Sequence, residues 1–348
     1  MHPDFRPSIV GEATRPIQQN YTHATGNERS QGSKMCGIVA FWDKSGGHEA
    51  STGQVVLSML EALACRGPDS AGIALIGPEP ELEMAGVWLI RLTPPDEKLL
   101  DRLTGVGRLV APARGATWQR QDNTLRFAFQ PAQGITPLDL ERALGARRGG
   151  LEVLSLGERI DLVKQVGAPS LLEELYAVST WKGPLAIGHT RMSTESKIDL
   201  SHSQPFWAHG VPDLATVHNG HVTNYHQLRR HYQQQGATFY TDNDSEVIGV
   251  YLRERMLAGR SLAEAMADSI ADLDGAYNYL IVSSQGLGIV RDRFGFKPLM
   301  LAETELFVAV ATEEIALRRA ISGDYTVHEP PPGSALFYPM TARVLSLA

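Results

Sequence analysis

Cys36 stands directly after Met35 and heads an apolar run, Gly37-Ile38-Val39-Ala40-Phe41-Trp42. The run reads as a buried first strand, so any fold this chain adopts must carry residue 36 to the start of a core strand. A cysteine behind a methionine can also become the first residue of a mature protein, and it then holds nucleophile and base together. Its thiol can attack a carbonyl carbon while its own α-amino group, with a pKa of about 7.7–8.0, takes the thiol proton. Inside a chain the same residue has only a peptide N–H, which is no base. Taken alone, the run supports two readings. One is a small buried residue, a common use of cysteine. The other is a nucleophile that exists only once the preceding residues are gone.

Four further runs follow in order: Arg66-Gly67-Pro68-Asp69-Ser70-Ala71-Gly72, Gly188-His189-Thr190-Arg191-Met192-Ser193-Thr194, Val217-His218-Asn219-Gly220 and Thr241-Asp242-Asn243-Asp244-Ser245-Glu246-Val247. Together with Met35-Cys36-Gly37-Ile38 they resemble the class II glutamine amidotransferases, from residue 35 to about residue 340. Each run alone is unspecific; all of them in register are not. The resemblance implies an N-terminal-nucleophile glutaminase domain that hydrolyses the side-chain amide of glutamine and passes ammonia on. It also implies the family's α+β architecture, a four-layer αββα sandwich of two antiparallel sheets between helix layers.

The chemistry explains the residue types. Thiolate attack on an amide creates an oxyanion, which is stabilised by fixed donors aimed at the developing charge. The resemblance assigns these to the Asn219 side chain and the Gly220 N–H. Asn-Gly is equally the commonest dipeptide of a type I′ hairpin turn, but Thr223–Gln235 reads as a helix with Thr223 as N-cap and Gly236 as its stop. Free glutamine is a zwitterion. A guanidinium suits its carboxylate through two parallel hydrogen bonds, and Arg191 takes that place. Asp244 takes the ammonium, and it also falls where the helix beginning near Ser245 needs an N-cap. The resemblance adds Met192 and Thr194 to the substrate-binding residues. Arg66, Gly67 and His218 are expected to support catalysis by positioning.

Relatives often have His before Arg-Gly, whereas this chain has Cys65. Cys65 ends a helix-like stretch, Ser51–Ala64, and reads as a small packed residue. Cys36 and Cys65 are the only cysteines; a disulfide between them would abolish the proposed chemistry, and two thiols fit a reducing cytosol. With 43% hydrophobic and 20% charged residues the 348-residue chain can bury a substantial core. Its net charge of −7 argues against broad nucleic-acid binding. No apolar stretch approaches the roughly 20 residues of a membrane span. Phosphate-loop and H-E-x-x-H zinc motifs are absent, and His218, His221 and His226 lack further ligands at metal spacing.

Residues 1–34 are polar and lack a signal peptide's apolar centre. They read as a disordered extension. Either translation begins at Met35 or residues 1–35 form a propeptide; the start at Met35 is favoured. The amidotransferase domain is expected over 36–340, with a proline-rich insertion at about 79–150 that is either a subdomain meeting a partner or a decorated loop. Strands are expected at Gly37–Trp42, Gly72–Ile76, Leu185–Thr190, Leu214–His218 and Ala276–Ser283. Hairpins are expected at 276–292 and 299–310. Helices are expected at Ser51–Ala64, Thr223–Gln235, Ser245–Leu257 and Ser261–Leu273, the last opening with a Ser261-x-x-Glu264 capping box.

About 50 residues remain after Pro298, too few for a fused synthase domain, so the ammonia is expected to go to a separate polypeptide. The wording of the 188–196 run looks most like the stand-alone amidotransferase subunits of glutamate synthase and N-methylglutamate synthase systems. Flavin (FMN) and iron–sulfur clusters are then expected only in the partner subunit, and no cofactor in this chain. Two other classes stay open: a hydrolase of γ-glutamyl amides, and a non-catalytic regulatory subunit whose Cys36 stays blocked.

Overall fold

A computed structural model describes residues 36–80, 85–93, 110–112, 119–144, 151–192 and 198–340. Two antiparallel sheets face each other. The first runs, edge to edge, Val327–His328 (β16), Met300–Glu303 (β14), Phe307–Ala311 (β15), Gly37–Asp43 (β1), Leu185–Arg191 (β9), Ser70–Ile76 (β2) and Ile160–Val166 (β8). The second runs Phe206–Trp207 (β10), Leu214–Val222 (β11), Gly275–Ser283 (β12), Gly286–Arg291 (β13) and Ala335–Pro339 (β17).

Strand periodicity sets the layers. In β1, Ile38 and Ala40 enter the core between the sheets, with Leu185 and Ile187 of β9 and Ala215 and Val217 of β11. Val39 and Phe41 turn the other way, toward helices. That outer layer holds α1 (Thr52–Ala62), α3 (Ser170–Tyr176) and α7 (Glu314–Ala320), packed on the first sheet through Val56, Leu60, Leu172 and Leu317. On the far face of the second sheet lie α4 (Tyr225–Gln234), α5 (Asp244–Leu257) and α6 (Leu262–Asp272). The order is helix, sheet, sheet, helix, as the resemblance implied.

Helix ends largely follow sequence logic. Ser51 caps α1 by accepting from the Gln54 N–H at 3.1 Å, and Ser261 and Glu264 cap α6 reciprocally. Two expectations fail. Helix α4 starts at Tyr225 with Asn224 at its N-cap, so Thr223 caps nothing; its N–H is instead held by the Asp274 carbonyl at 2.8 Å. Asn243, not Asp244, caps α5, accepting from the Ser245 N–H at 3.0 Å. Cys65 is exposed rather than packed, because α1 stops at Ala62 and the chain leaves helical spacing before reaching it. Both cysteines are free thiols.

The segment between β2 and β9, where no strand was expected, builds a third antiparallel sheet. It orders Val110–Pro112 (β4), Thr124–Pro131 (β6), Trp88–Thr93 (β3) and Glu152–Gly157 (β7), with Gln119–Gln121 (β5) beside β6. Leu125, Phe127 and Phe129 alternate inward from β6 and join the central core. The same segment contributes α2 (Pro137–Leu144). The Arg-Arg-Gly-Gly at 147–150 and the extension 1–35 lie outside the described residues.

Candidate active site

The site forms where the inward rows of the central strands run past the apolar core. In β9 the inward row reads Leu185, Ile187, His189, Arg191, and its polar end lies beside the head of β1. Gly37 pairs with Thr190, so Cys36 lies at the level of Arg191. In β11 the inward row reads Ala215, Val217, Asn219. From the helix layer behind β11, α5 brings its first turn to the same place. A cavity of about 470 Å³ results, lined by Cys36, Arg191, Met192, His218, Gly220 and Asp244 among others.

Cys36 is half-buried, and its Sγ donates to the Met192 carbonyl at 3.7 Å. Burial pushes the thiol's pKa up, against the opposing pull of that contact and of the Arg191 charge. A thiol in this state needs a base before it can attack. Arg191 is buried in turn, which lowers its pKa from the ordinary range while nearby Cys36, Asp199, Asp69 and Asp244 favour its charge.

Asn219-Gly220 is not a turn. β11 continues to Val222, beyond the expected end at His218, and Asn219 and Gly220 pair with Asn278 and Tyr277 of β12. Gly220 has φ +132°, and a Cβ there would lie 2.2 Å from the Ala276 carbonyl oxygen, so glycine is needed for strand approach. The Asn219 Nδ2 is buried and finds no hydrogen-bond acceptor among the described residues.

Asp244 Oδ2 accepts from the Val222 N–H at 2.9 Å and lies 3.3 Å from His221 Nδ1. Its carboxylate is thereby fixed to the end of β11 while still facing the cavity. His218 turns toward α5, its Nδ1 2.8 Å from Ser245 Oγ, and burial lowers its pKa against the opposing charge of Asp244. Arg66 and Gly67 do not line the cavity. Arg66 pairs with Glu313. Gly67 presses on the end of β9, where a Cβ would lie 2.6 Å from the Thr190 carbonyl carbon, and its carbonyl accepts from the Thr190 hydroxyl. Thr194 lies outside the described residues.

Gln204 is a site residue that sequence reasoning missed. Its Oε1 accepts the His218 N–H at 2.6 Å, and its Nε2 donates to the His218 carbonyl and to Ser245 Oγ, each at 3.1 Å. It thus joins β11 to α5 beneath the cavity. A single glutamine in a loop carries no sequence signal, since its partners are long-range. His202, His221, Tyr225, Asp242, Asn243 and Ser245 complete the lining.

A glutamine amidotransferase domain model matches residues 189–319. A Methanothermobacter thermautotrophicus protein provisionally named glutamine amidotransferase is 35% identical over 314 residues, covering 87% of this chain and 99% of that one. The chain belongs to the glutamine amidotransferase family. The glutamine amidotransferase-like protein GlxB of Rhizobium meliloti is 32% identical, over 87% of this chain and 98% of its own. The solved structure of glutamine phosphoribosylpyrophosphate amidotransferase from B. subtilis matches the fold with a TM-score of 0.55 at 21% identity, covering 88% of this amidotransferase and 47% of that chain. The fold is the αββα sandwich of the N-terminal-nucleophile hydrolases, and the amidotransferase is an enzyme that hydrolyses the glutamine amide. Among the described residues no helix is long and apolar enough to cross a membrane.

Proposed function

We propose that the amidotransferase works through Cys36 as a processed N-terminal nucleophile and delivers ammonia to a separate synthase subunit of glutamate synthase or N-methylglutamate synthase type. The observation that carries this reading is the convergence on one cavity of the Cys36 thiol, the Arg191 guanidinium and the Asp244 carboxylate, near a buried Asn219 amide that finds no acceptor among the described residues. Arg191 takes the substrate's α-carboxylate and Asp244 its α-ammonium, which leaves the side-chain amide to reach Cys36. The free α-amine of Cys36 accepts the thiol proton and returns it to the departing ammonia. Asn219 Nδ2 and the Gly220 N–H hold the oxyanion, Met192 and Thr194 flank the substrate, and His218, Arg66 and Gly67 position the strands that carry these groups. Water then hydrolyses the thioester and frees glutamate.

The separate acceptor is supported by the two relatives that this chain covers at 99% and 98% of their own length, both named for the amidotransferase activity alone. Flavin (FMN) and iron–sulfur clusters belong to that partner in this reading. The test is the mature N-terminus. Intact-mass analysis of active enzyme should give a chain beginning at Cys36, and Cys36→Ala should abolish glutamine hydrolysis. Full activity from a homogeneous sample still carrying Met35 would overturn the proposal. Faster turnover of γ-glutamyl peptides than of glutamine would replace it with the hydrolase reading.

A further inference from the structure

Helix α2 belongs to the third sheet's segment, yet its buried face rests on the amidotransferase core. Leu140 and Leu144 are buried, and Leu138 sits against Gly210, where a Cβ would come within 2.9 Å of it. Between these apolar residues the same helix buries a carboxylate, Glu141, to 2% exposure. A buried carboxylate is costly unless hydrogen bonds hold it. Two of its partners lie in other parts of the chain. Glu141 Oε1 accepts from the Tyr240 hydroxyl at 2.5 Å and lies 2.9 Å from His209 Nδ1. The His209 and Tyr240 rings stack with centroids 4.4 Å apart.

Tyr240 opens the loop that ends in the cavity. The N–H groups of Tyr240 and Thr241 donate to the Glu246 carboxylate at 2.6 and 2.8 Å, and the Thr241 hydroxyl joins them at 2.8 Å. That hydroxyl accepts the Asn243 N–H at 3.1 Å, and Asn243 caps α5 one residue before Asp244. Asp242, Asn243 and Asp244 all line the cavity. A path of hydrogen bonds therefore runs from α2, through Tyr240 and Thr241, to Asn243, the residue directly before the carboxylate assigned to the substrate ammonium.

We propose that Glu141 is a positioning residue for substrate binding: through Tyr240 it braces the 240–244 loop, so the third-sheet segment sets the affinity of the glutamine site. The proposal rests on the reading of the cavity as that site. Cys36 directly precedes β1 and Asn219 stands on β11, both outside the 240–244 loop, so loss of the brace acts on binding rather than on bond breaking.

Steady-state kinetics and amide hydrogen exchange on the full chain test it together. Glu141→Ala should raise the glutamine KM on the order of tenfold and change kcat by less than about twofold. It should also speed exchange at the Tyr240 and Thr241 amides while β1 stays protected. Glu141→Gln keeps an acceptor oxygen and should restore both, and Tyr240→Phe, which deletes one donor without opening a void, should give the same split in smaller degree. The Phe variant decides the matter if the alanine variant fails to fold. Unchanged exchange, an unchanged KM, or equal loss of kcat and kcat/KM in Glu141→Ala with no recovery in Glu141→Gln would overturn the brace. The exchange measurement needs no turnover, so a cavity that does not bind glutamine and a brace that does not exist give different results.

Discussion

Among the described residues the buried Asn219 Nδ2 finds no acceptor, an arrangement that costs about 1–3 kcal/mol in a folded protein. That cost is explained if the acceptor is the oxyanion, which exists only during reaction. The site then divides its labour by residue. Asn219→Ala should lower kcat on the order of 10²–10³-fold, equivalent to about 2.7–4 kcal/mol, with little change in glutamine binding to the Cys36→Ala background. Arg191→Ala and Asp244→Ala should instead raise KM strongly, because each leaves a substrate charge unpaired. Near-normal turnover in Asn219→Ala would reduce Asn219 to a strand residue.

At the scale of elements, β9 changes character along its length, from Leu185 and Ile187 in the apolar core to His189 and Arg191 at the site. His189 is fully buried, and burial, with the Arg191 charge and His218 adding to it, brings its pKa down to about 3 from the ordinary 6.5. The folded protein thus keeps this ring neutral over a range in which the unfolded chain protonates it. Below about pH 6.5 the unfolded state binds the extra proton, so stability is retained above that pH and lost as pH falls toward 3. The group contributes about 1.4 kcal/mol per pH unit across that window. His189→Asn should flatten the dependence between pH 6 and pH 4 by that slope, measured by urea unfolding. Equal slopes in the two proteins would mean that His189 takes its proton while folded.

The same scale shows what was legible in the sequence. β1, β9, β12 and β13 are apolar runs bounded by turn residues, and α1 and α6 announce themselves by caps and spacing. β7 and β8 do not. Their polar positions form buried pairs, Lys164 with Glu152 and Asp161 with Arg91, at 2.8 and 2.7 Å. Read without partners, those charges look like solvated loop. The cavity's Cys36, Arg191 and Asp244 were readable from motifs, whereas Gln204 and Glu141 act through contacts 14 and 99 residues away. Asp244 was misread as a cap because Asn243 beside it serves the helix equally well.

At the scale of the whole molecule, the proposed function requires that ammonia reach an acceptor before it is protonated and lost to water. A glutaminase that fired without its acceptor would waste glutamine, so the proposed synthase subunit should control the site. A partner that tightens glutamine binding must itself bind more tightly when glutamine is present, by the same factor. Isothermal titration of the Cys36→Ala chain with the synthase subunit, with and without glutamine, measures one side of this equality; glutamine titration of the preformed complex measures the other. Weak glutaminase activity is expected from the isolated chain, with a marked rise once the partner and its acceptor are added. The Cys36→Ala complex should still make product from external ammonium and none from glutamine. If that complex uses glutamine as well as the wild type does, the ammonia comes from somewhere other than Cys36, and the proposed transfer between subunits falls with it.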